Sequence, residues 1–326
     1  MTDNTTDKKK FTYYPGCSSQ GSARHLDESL RAIAPELGIE LDELEDWNCC
    51  GASVGHIGGG QLPNVALTGR NLAHAQRQGR QDVVTGCAAC YLNTHGGNEK
   101  IKADVNLRRK VNDALAAGDL SYDEDLRVRH MCEVIVNEVG VDKVKERVTK
   151  PLTGLKVAGY VGCQTVRPFA NTDAGGEYDT YDDPAFLDDF TEALGAEPVP
   201  FQHKTACCGG SVAVMSPDRT LHLVKNILEE AKQAGADVIS TPCPLCQTNV
   251  EMYQEQINEK FGTDYNIPVV FYSQLMAVAF GLDAKKDAAL HRNTIAPEKL
   301  EELATGRGEA KPRGAEPASP AAIGRD

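Results

Sequence analysis

The sequence holds 326 residues, with 34 lysines and arginines against 47 aspartates and glutamates, for a net charge of −13. That sign argues against nucleic acid or an anionic membrane as a partner. At 41% hydrophobic residues the chain is able to fill the cores of two domains of ordinary size, yet no apolar run approaches the ~18 residues of a membrane-spanning helix, so no direct membrane insertion is expected.

Residues 1–10 are polar and charged, lack the apolar stretch of a secretory leader, and read as an N-terminal tail. Phe11-Thr-Tyr-Tyr14 reads as a short buried strand that delivers Pro15-Gly16-Cys17. Leu26, Leu30 and Ile33 recur at helical spacing within residues 22–36, and Leu37–Leu41 turns into a second strand. Trp47-Asn48-Cys49-Cys50-Gly51 is a loop, followed by the glycine-rich Gly55–Gly60, which lacks the Lys-Ser/Thr of a phosphate-binding loop. Pro63 opens a helix that Gly79 closes, Asp82–Thr85 is a strand, and Cys87-Ala-Ala-Cys90 starts helical material reaching Ala117. A strand at Arg127–Arg129 and a helix at Cys132–Val139 complete a first half, residues 11–150.

The second half, residues 151–282, retraces this path. A strand over Leu155–Val161 ends at Cys163, and residues 171–184, rich in Asp, Gly and Tyr, lengthen the first loop. A helix over Pro184–Leu194, an extended Glu197–Phe201 and the Cys207-Cys208-Gly209 loop follow. Then come a helix from Pro217 to Ala234, a strand at Asp237–Ser240, Cys243-Pro-Leu-Cys246 heading helical residues 244–260, a strand at Pro268–Phe271 and a helix at Ser273–Phe280. Residues 283–326, rich in Ala, Gly, Pro and charge, are expected to be a disordered C-terminal tail.

Each half therefore carries one single cysteine, one adjacent pair closed by glycine, and one CxxC. The sets are Cys17, Cys49, Cys50, Cys87 and Cys90, then Cys163, Cys207, Cys208, Cys243 and Cys246, with CxxC ends offset by 156 residues. This is an internal duplication. Strands alternating with helices predict an α/β fold of two duplicated halves, each a small parallel sheet flanked by helices, with cysteine-bearing loops past the strands' carboxyl ends.

Eleven cysteines divide as five, five and Cys132. Five thiols overfill a tetrahedral zinc site, and adjacent cysteines diverge too far to chelate one small ion together, though they reach different irons of one cluster. An iron–sulfur cluster with an extra thiolate is the reading that uses all five, and zinc is its plainer alternative. Many cysteines without an export signal point to metal and a reducing cytoplasm, with any membrane association made through a partner.

Tyr14-Pro-Gly-Cys17, Trp47-Asn-Cys-Cys-Gly51, Tyr160-Val-Gly-Cys163, Cys207-Cys-Gly-Gly210 and Cys243-Pro-Leu-Cys246 resemble the cysteine-rich CCG domain. Two copies resemble the B subunit of heterodisulfide reductase, over roughly residues 11–282. The resemblance implies a noncubane [4Fe–4S] cluster at each of the two ligand sets, and disulfide or thiol redox chemistry on a small substrate. It also implies two partners, one a ferredoxin-like iron–sulfur protein and the other a flavoprotein, the C and A components of such a complex. The same family includes relatives attached to succinate or fumarate reductases, which keeps open a role in electron transfer or anchoring.

His56 and His203 flank the cysteine pairs and are weak candidates for proton donation near a cluster; the plainer reading of each is a satisfied loop histidine. Cys132 reads as a small buried hydrophobe, His130 as a cap or packing residue, and Trp47 as packing that keeps a cluster dry.

Overall fold

The buried Phe11-Thr12-Tyr13 forms the end of a strand, β1 (Lys9–Tyr13), in the computed structural model, which describes residues 8–52, 60–79, 82–123, 126–166 and 179–306. Parallel neighbours flank it on both sides, β2 (Ile39–Glu43) and β3 (Asp82–Thr85), and β4 (Arg127–His130) lies beyond β3. The connections are helical: α1 (Cys17–Gln20) and α2 (Arg24–Glu36) after β1, α3 (Gln61–Arg77) before β3, α4 (Ala88–Ala103) and α5 (Val105–Leu115) before β4. After β4 come α6 (Met131–Val134), a π-turn over Ile135–Val139 and α7 (Val141–Glu146).

The second half repeats the order in space. Its strands are β5 (Lys156–Gly159), β6 (Glu197–Pro198), β7 (Val238–Thr241) and β8 (Val269–Phe271), arranged β6-β5-β7-β8 as the first are arranged β2-β1-β3-β4, all parallel. Its helices are α8 (Phe186–Ala193), α9 (Pro217–Gln233), α10 (Pro244–Met252), α11 (Gln254–Phe261) and α12 (Tyr272–Ala279). The α/β architecture of two duplicated halves is as the sequence predicts.

Two long helical stretches expected from the sequence are broken in two. The run toward Ala117 stops at Asp104, whose carboxylate accepts the N–H groups of Asn106 at 2.9 Å and Leu107 at 3.1 Å and so starts α5. The stretch 244–260 breaks between α10 and α11 at Tyr253.

The hydrophobic core does not stop at the chain boundary between the halves. Leu26, Leu30 and Ile33 of α2 share one buried cluster with Phe190, Phe271, Leu275 and Met276. Helix α12 packs on α2, and the buried hydroxyls of Ser29 and Ser273 bond at 2.7 Å. Helix α7 likewise packs on α8, so the closing helix of each half lies on the other half.

The expected tail is corrected over residues 283–306. A 3₁₀ turn at Leu290–Arg292 and α13 (Glu298–Thr305) dock on the body, burying Leu290 and Leu300. Composition misleads here because polar groups do much of the anchoring. Asn293 donates to the Val269 carbonyl at 2.8 Å and accepts from Gln274 at 3.0 Å, while Arg292 grips Glu28 at 2.8 and 2.9 Å. Residues 307–326, residues 1–7, His56 and residues 171–178 lie outside the described residues.

Candidate metal centre

The loops leaving three neighbouring strands bring the cysteines together at one edge of each sheet. Cys17 opens α1 directly after β1, Cys49 and Cys50 follow β2, and Cys87 sits at the N-terminus of α4 after β3, with Cys90 in its first turn. Cys163, Cys207, Cys208, Cys243 and Cys246 take the same places after β5, β6 and β7. The carboxyl ends flanking the first strand are where an α/β sheet reverses its order and opens a crevice.

All ten predicted ligands are free thiols, and they share one burial pattern. Cys50, Cys87, Cys90, Cys208, Cys243 and Cys246 are buried, whereas Cys17 and Cys207 are exposed and Cys49 and Cys163 half-buried. Each set therefore has a dry wall and an open edge. The Sγ atoms of Cys17 and Cys49 stand 3.9 Å apart. The five thiols of the second half line one small cavity, together with Gln164, Gly210, Ser211 and Leu245.

Their electrostatics show what the sets lack. S–H groups of Cys49 and Cys90 donate to Cys50 and hold its thiol low, at about 5. Cys90 is pushed well up by its bonds to Cys50 and Cys87 and by burial. In the second set Cys163 is pushed up by Cys207, and Cys246 by Cys208 and Cys243, while Cys243 is lowered by donation from Cys246. Packed thiols share protons because several buried thiolates repel one another. A cationic body among them removes that repulsion and lets all five ionise. Among the described residues no group of three or more His, Cys, Asp or Glu side chains is placed to hold a single metal ion. In the second half the five thiols face one cavity, and such a set of soft donors suits an iron–sulfur cluster.

Backbone and second-layer groups fix the loops identically in both halves. The Thr85 hydroxyl accepts the Cys87 N–H at 3.4 Å, and Thr241 accepts that of Cys243 at 3.4 Å. The Tyr14 hydroxyl donates to the Asn48 carbonyl at 2.8 Å and Tyr160 donates to Ala206 at 2.7 Å, each the residue before a cysteine pair. Burial, and then the neighbouring cysteines, raise both tyrosines well above their ordinary range, so they stay protonated donors. Asn71 adds a reciprocal pair with the Asn48 backbone, 2.9 Å each way. These residues escaped the sequence reading as site residues. The recurrence of Tyr and of Thr-x-Cys at matched positions was the available signal.

Other candidates fall into place. His203 is not among the residues lining the cavity of the second set; its Nδ1 is hydrogen-bonded to the Glu230 carboxylate, which also accepts the His203 backbone N–H at 2.9 Å. Trp47 packs edge-on to Tyr14 with centroids 5.7 Å apart and donates to Glu43 at 3.1 Å. Cys132 is fully buried, its thiol raised by that burial. His130 caps α6, its Nδ1 accepting the Cys132 N–H at 3.2 Å.

The two sets also meet. The Cys243 thiol is lowered first by Cys246 and also by the backbone of Ala89, which lies in the first CxxC turn. Ala88 sits in the core of the second site, and Leu245 packs on the cores of both.

Comparison with known proteins gives a consistent picture. The profile of the CCG cysteine-rich domain matches residues 11–94 and 157–251. The chain is 34% identical over 293 residues to the 8-methylmenaquinol:fumarate reductase membrane anchor subunit of Wolinella succinogenes, covering 90% of this chain and 99% of that one. It is 32% identical over 274 residues to the B subunit of the ferredoxin:CoB-CoM heterodisulfide reductase of Methanosarcina mazei, covering 83% and 89%. It is 31% identical over 289 residues to a protein of Archaeoglobus profundus described as like the heterodisulfide reductase B subunit, covering 86% and 94%. A solved structure of a hypothetical protein from Helicobacter pylori shares the fold with a TM-score of 0.68 at 16% identity, covering 88% of this chain and 52% of that one.

Proposed function

The chain belongs to the cysteine-rich CCG family, and we propose that it is the iron–sulfur subunit of a heterodisulfide reductase-like complex, an oxidoreductase component that carries out or relays electrons for disulfide and thiol chemistry. The observation that supports this most is the doubled five-cysteine set at matching places on two copies of one fold. Cys17, Cys49, Cys50, Cys87 and Cys90 would hold one noncubane [4Fe–4S] cluster, and Cys163, Cys207, Cys208, Cys243 and Cys246 the other, each supplying electrons one at a time. Cleaving a disulfide takes two electrons, which accords with two such sites side by side.

The chain's own residues set the conditions. The buried thiols with Leu245, Trp47 and Tyr14 keep water from the inner wall, and the Thr85, Thr241, Tyr14 and Tyr160 bonds fix the loops. A small thiol or disulfide would enter from the open edge at Cys17 and Cys49 or at Cys163 and Cys207. No CxxCxxCxxxCP run of ordinary ferredoxins occurs in the chain, so electrons would pass through a ferredoxin-like iron–sulfur partner and a flavoprotein partner, in the cytoplasm.

The 34% identity to the fumarate reductase anchor protein favours a second reading, in which the same clusters relay electrons for dicarboxylate chemistry in a flavin partner. Among the described residues no helix is long and apolar enough to cross a membrane, so membrane association on this reading runs through a partner. Titrating the iron-loaded chain with thiols and disulfides separates the two. Cluster absorbance and magnetic spectra that move support the first reading, and spectra that ignore every sulfur compound support the second.

A further inference from the structure

The run Cys-x-x-Cys-x-x-Asn occurs once in each half, as Cys87–Asn93 and Cys243–Asn249. Both asparagines lie on the helix that the CxxC starts, one turn past its second cysteine. There the bonding of the two halves diverges. The Asn249 amide is buried and donates across to the Cys208 carbonyl at 3.1 Å, joining α10 to the loop of the cysteine pair. The Asn93 amide turns back and donates to the Ala89 carbonyl of its own helix at 3.0 Å. The Cys50 carbonyl is reached instead from α3, by the Thr68 hydroxyl at 3.5 Å.

The sulfurs beside these bonds are placed alike, which isolates the difference. The Cys50 thiol lies 3.9 Å from the Ala89 carbonyl and the Cys208 thiol 4.0 Å from the Leu245 carbonyl, each the residue before the second cysteine of its CxxC. Asn249 also stands at the wall of the second cavity. Gly210 and Leu245 line that cavity, and a Cβ on Gly210 would stand 3.4 Å from the Cys208 sulfur and 3.8 Å from the Asn249 Nδ2. A carbonyl only accepts, so the amide nitrogen is the end that faces Cys208. Removing that donor leaves the carbonyl unpaired in a dry wall, and the loop must move to regain a partner.

We propose that Asn249 is a positioning residue of the second site alone: its amide ties the Cys207-Cys208 turn to the CxxC helix and fixes Cys208 against Cys246. That these sulfurs are cluster ligands rests on the function proposed above; the tie itself does not. The two sites are then held by different rules. In the second, the cysteine pair and the CxxC move as one piece, joined through α10. In the first, the pair is held from α3, by Thr68 and by the bonds of Asn71 to Asn48. Releasing the tie displaces Cys208 from the sulfurs on α10 and changes the ligand geometry of the second site, while the first keeps its own.

The test compares Asn249→Leu, which keeps the bulk and removes the donor, with Asn249→Ala, which removes both, and with Asn93→Leu as the matched change in the first half. In the reduced, iron-free full chain, brief alkylation followed by peptide mapping should find Cys208 labelled several-fold faster in both Asn249 variants. Cys50 should stay at the wild-type rate in Asn93→Leu. After anaerobic loading with iron and sulfide, both Asn249 variants should alter the magnetic spectrum of the second cluster and leave that of the first unchanged. Wild-type labelling of Cys208 in Asn249→Leu would overturn the proposal, since bulk alone would then hold the loop. Loss of folding in both Asn249 variants would overturn it too, because the side chain would be holding the whole half. Faster labelling of Cys50 in Asn93→Leu would overturn the distinction between the sites. A wild-type chain that takes up no iron–sulfur cluster defeats the proposed function alone, because the labelling reads the tie without metal.

Discussion

Gly16 approaches Cys90 so closely that a Cβ on it would stand 2.5 Å from the sulfur. Its backbone, φ 76° and ψ 164°, lies in a region that is essentially glycine's alone. Gly162 meets Cys246 in the same way, at 2.8 Å with φ 75°. Gly16→Ala should therefore displace Cys90, cost about 2 kcal/mol of stability, and empty the first site while the second still fills. Denaturant titration and iron analysis check this. Full iron with unchanged stability would show that the close approach imposes no constraint.

The two cysteine sets share no residue, and each brings five thiols together. Protein purified without oxygen should carry about eight iron per chain, from two four-iron clusters. Stoichiometric zinc with little iron would replace the cluster reading with the structural-metal one.

Acid should destabilise the fold through its buried histidines. Burial lowers His25 and His130 to about 4 from the usual 6.5, and both ring nitrogens of His25 are buried without partners. The unfolded chain takes up protons at these rings as pH falls below about 6.5, where the folded chain does not. Their contribution is complete above that pH and is lost toward pH 4, by roughly 3 kcal/mol for each ring. His25→Leu, placed against Phe271, should flatten the melting temperature's fall between pH 6.5 and 4 in the iron-free chain. An unchanged slope would remove His25 from the acid limb.

Legibility in the sequence tracked how local the physics is. The cysteine spacing and the strand-to-helix alternation are local features, so the site and the sheets could be read from them. The packing of α12 on α2 and the Ser29–Ser273 bond join positions 244 residues apart, and no periodicity reports such a pairing. The docked segment over residues 283–306 hid because its hold depends on Asn293 and Arg292 as much as on Leu290 and Leu300. His130 reads as a cap or packing residue, and it caps α6.

Disulfide cleavage makes the most demanding use of the duplication. Two electrons must reach one bond, and each site is proposed to deliver one, so the halves act in series on one substrate rather than as two independent centres. Cys208 lines the second cavity at 4% exposure and belongs to no part of the first ligand set. Cys208→Ser should leave the first cluster's spectrum intact. It should still cut disulfide turnover by at least about tenfold, a barrier rise of ~1.4 kcal/mol, whereas independent centres would lose only half. Single-turnover assays with small disulfides, read beside the magnetic spectra of both sites, check the outcome. A variant retaining half the wild-type rate would break the paired mechanism. Wild-type protein with two intact clusters and no disulfide turnover would move the chain to the electron-relay role of the second reading.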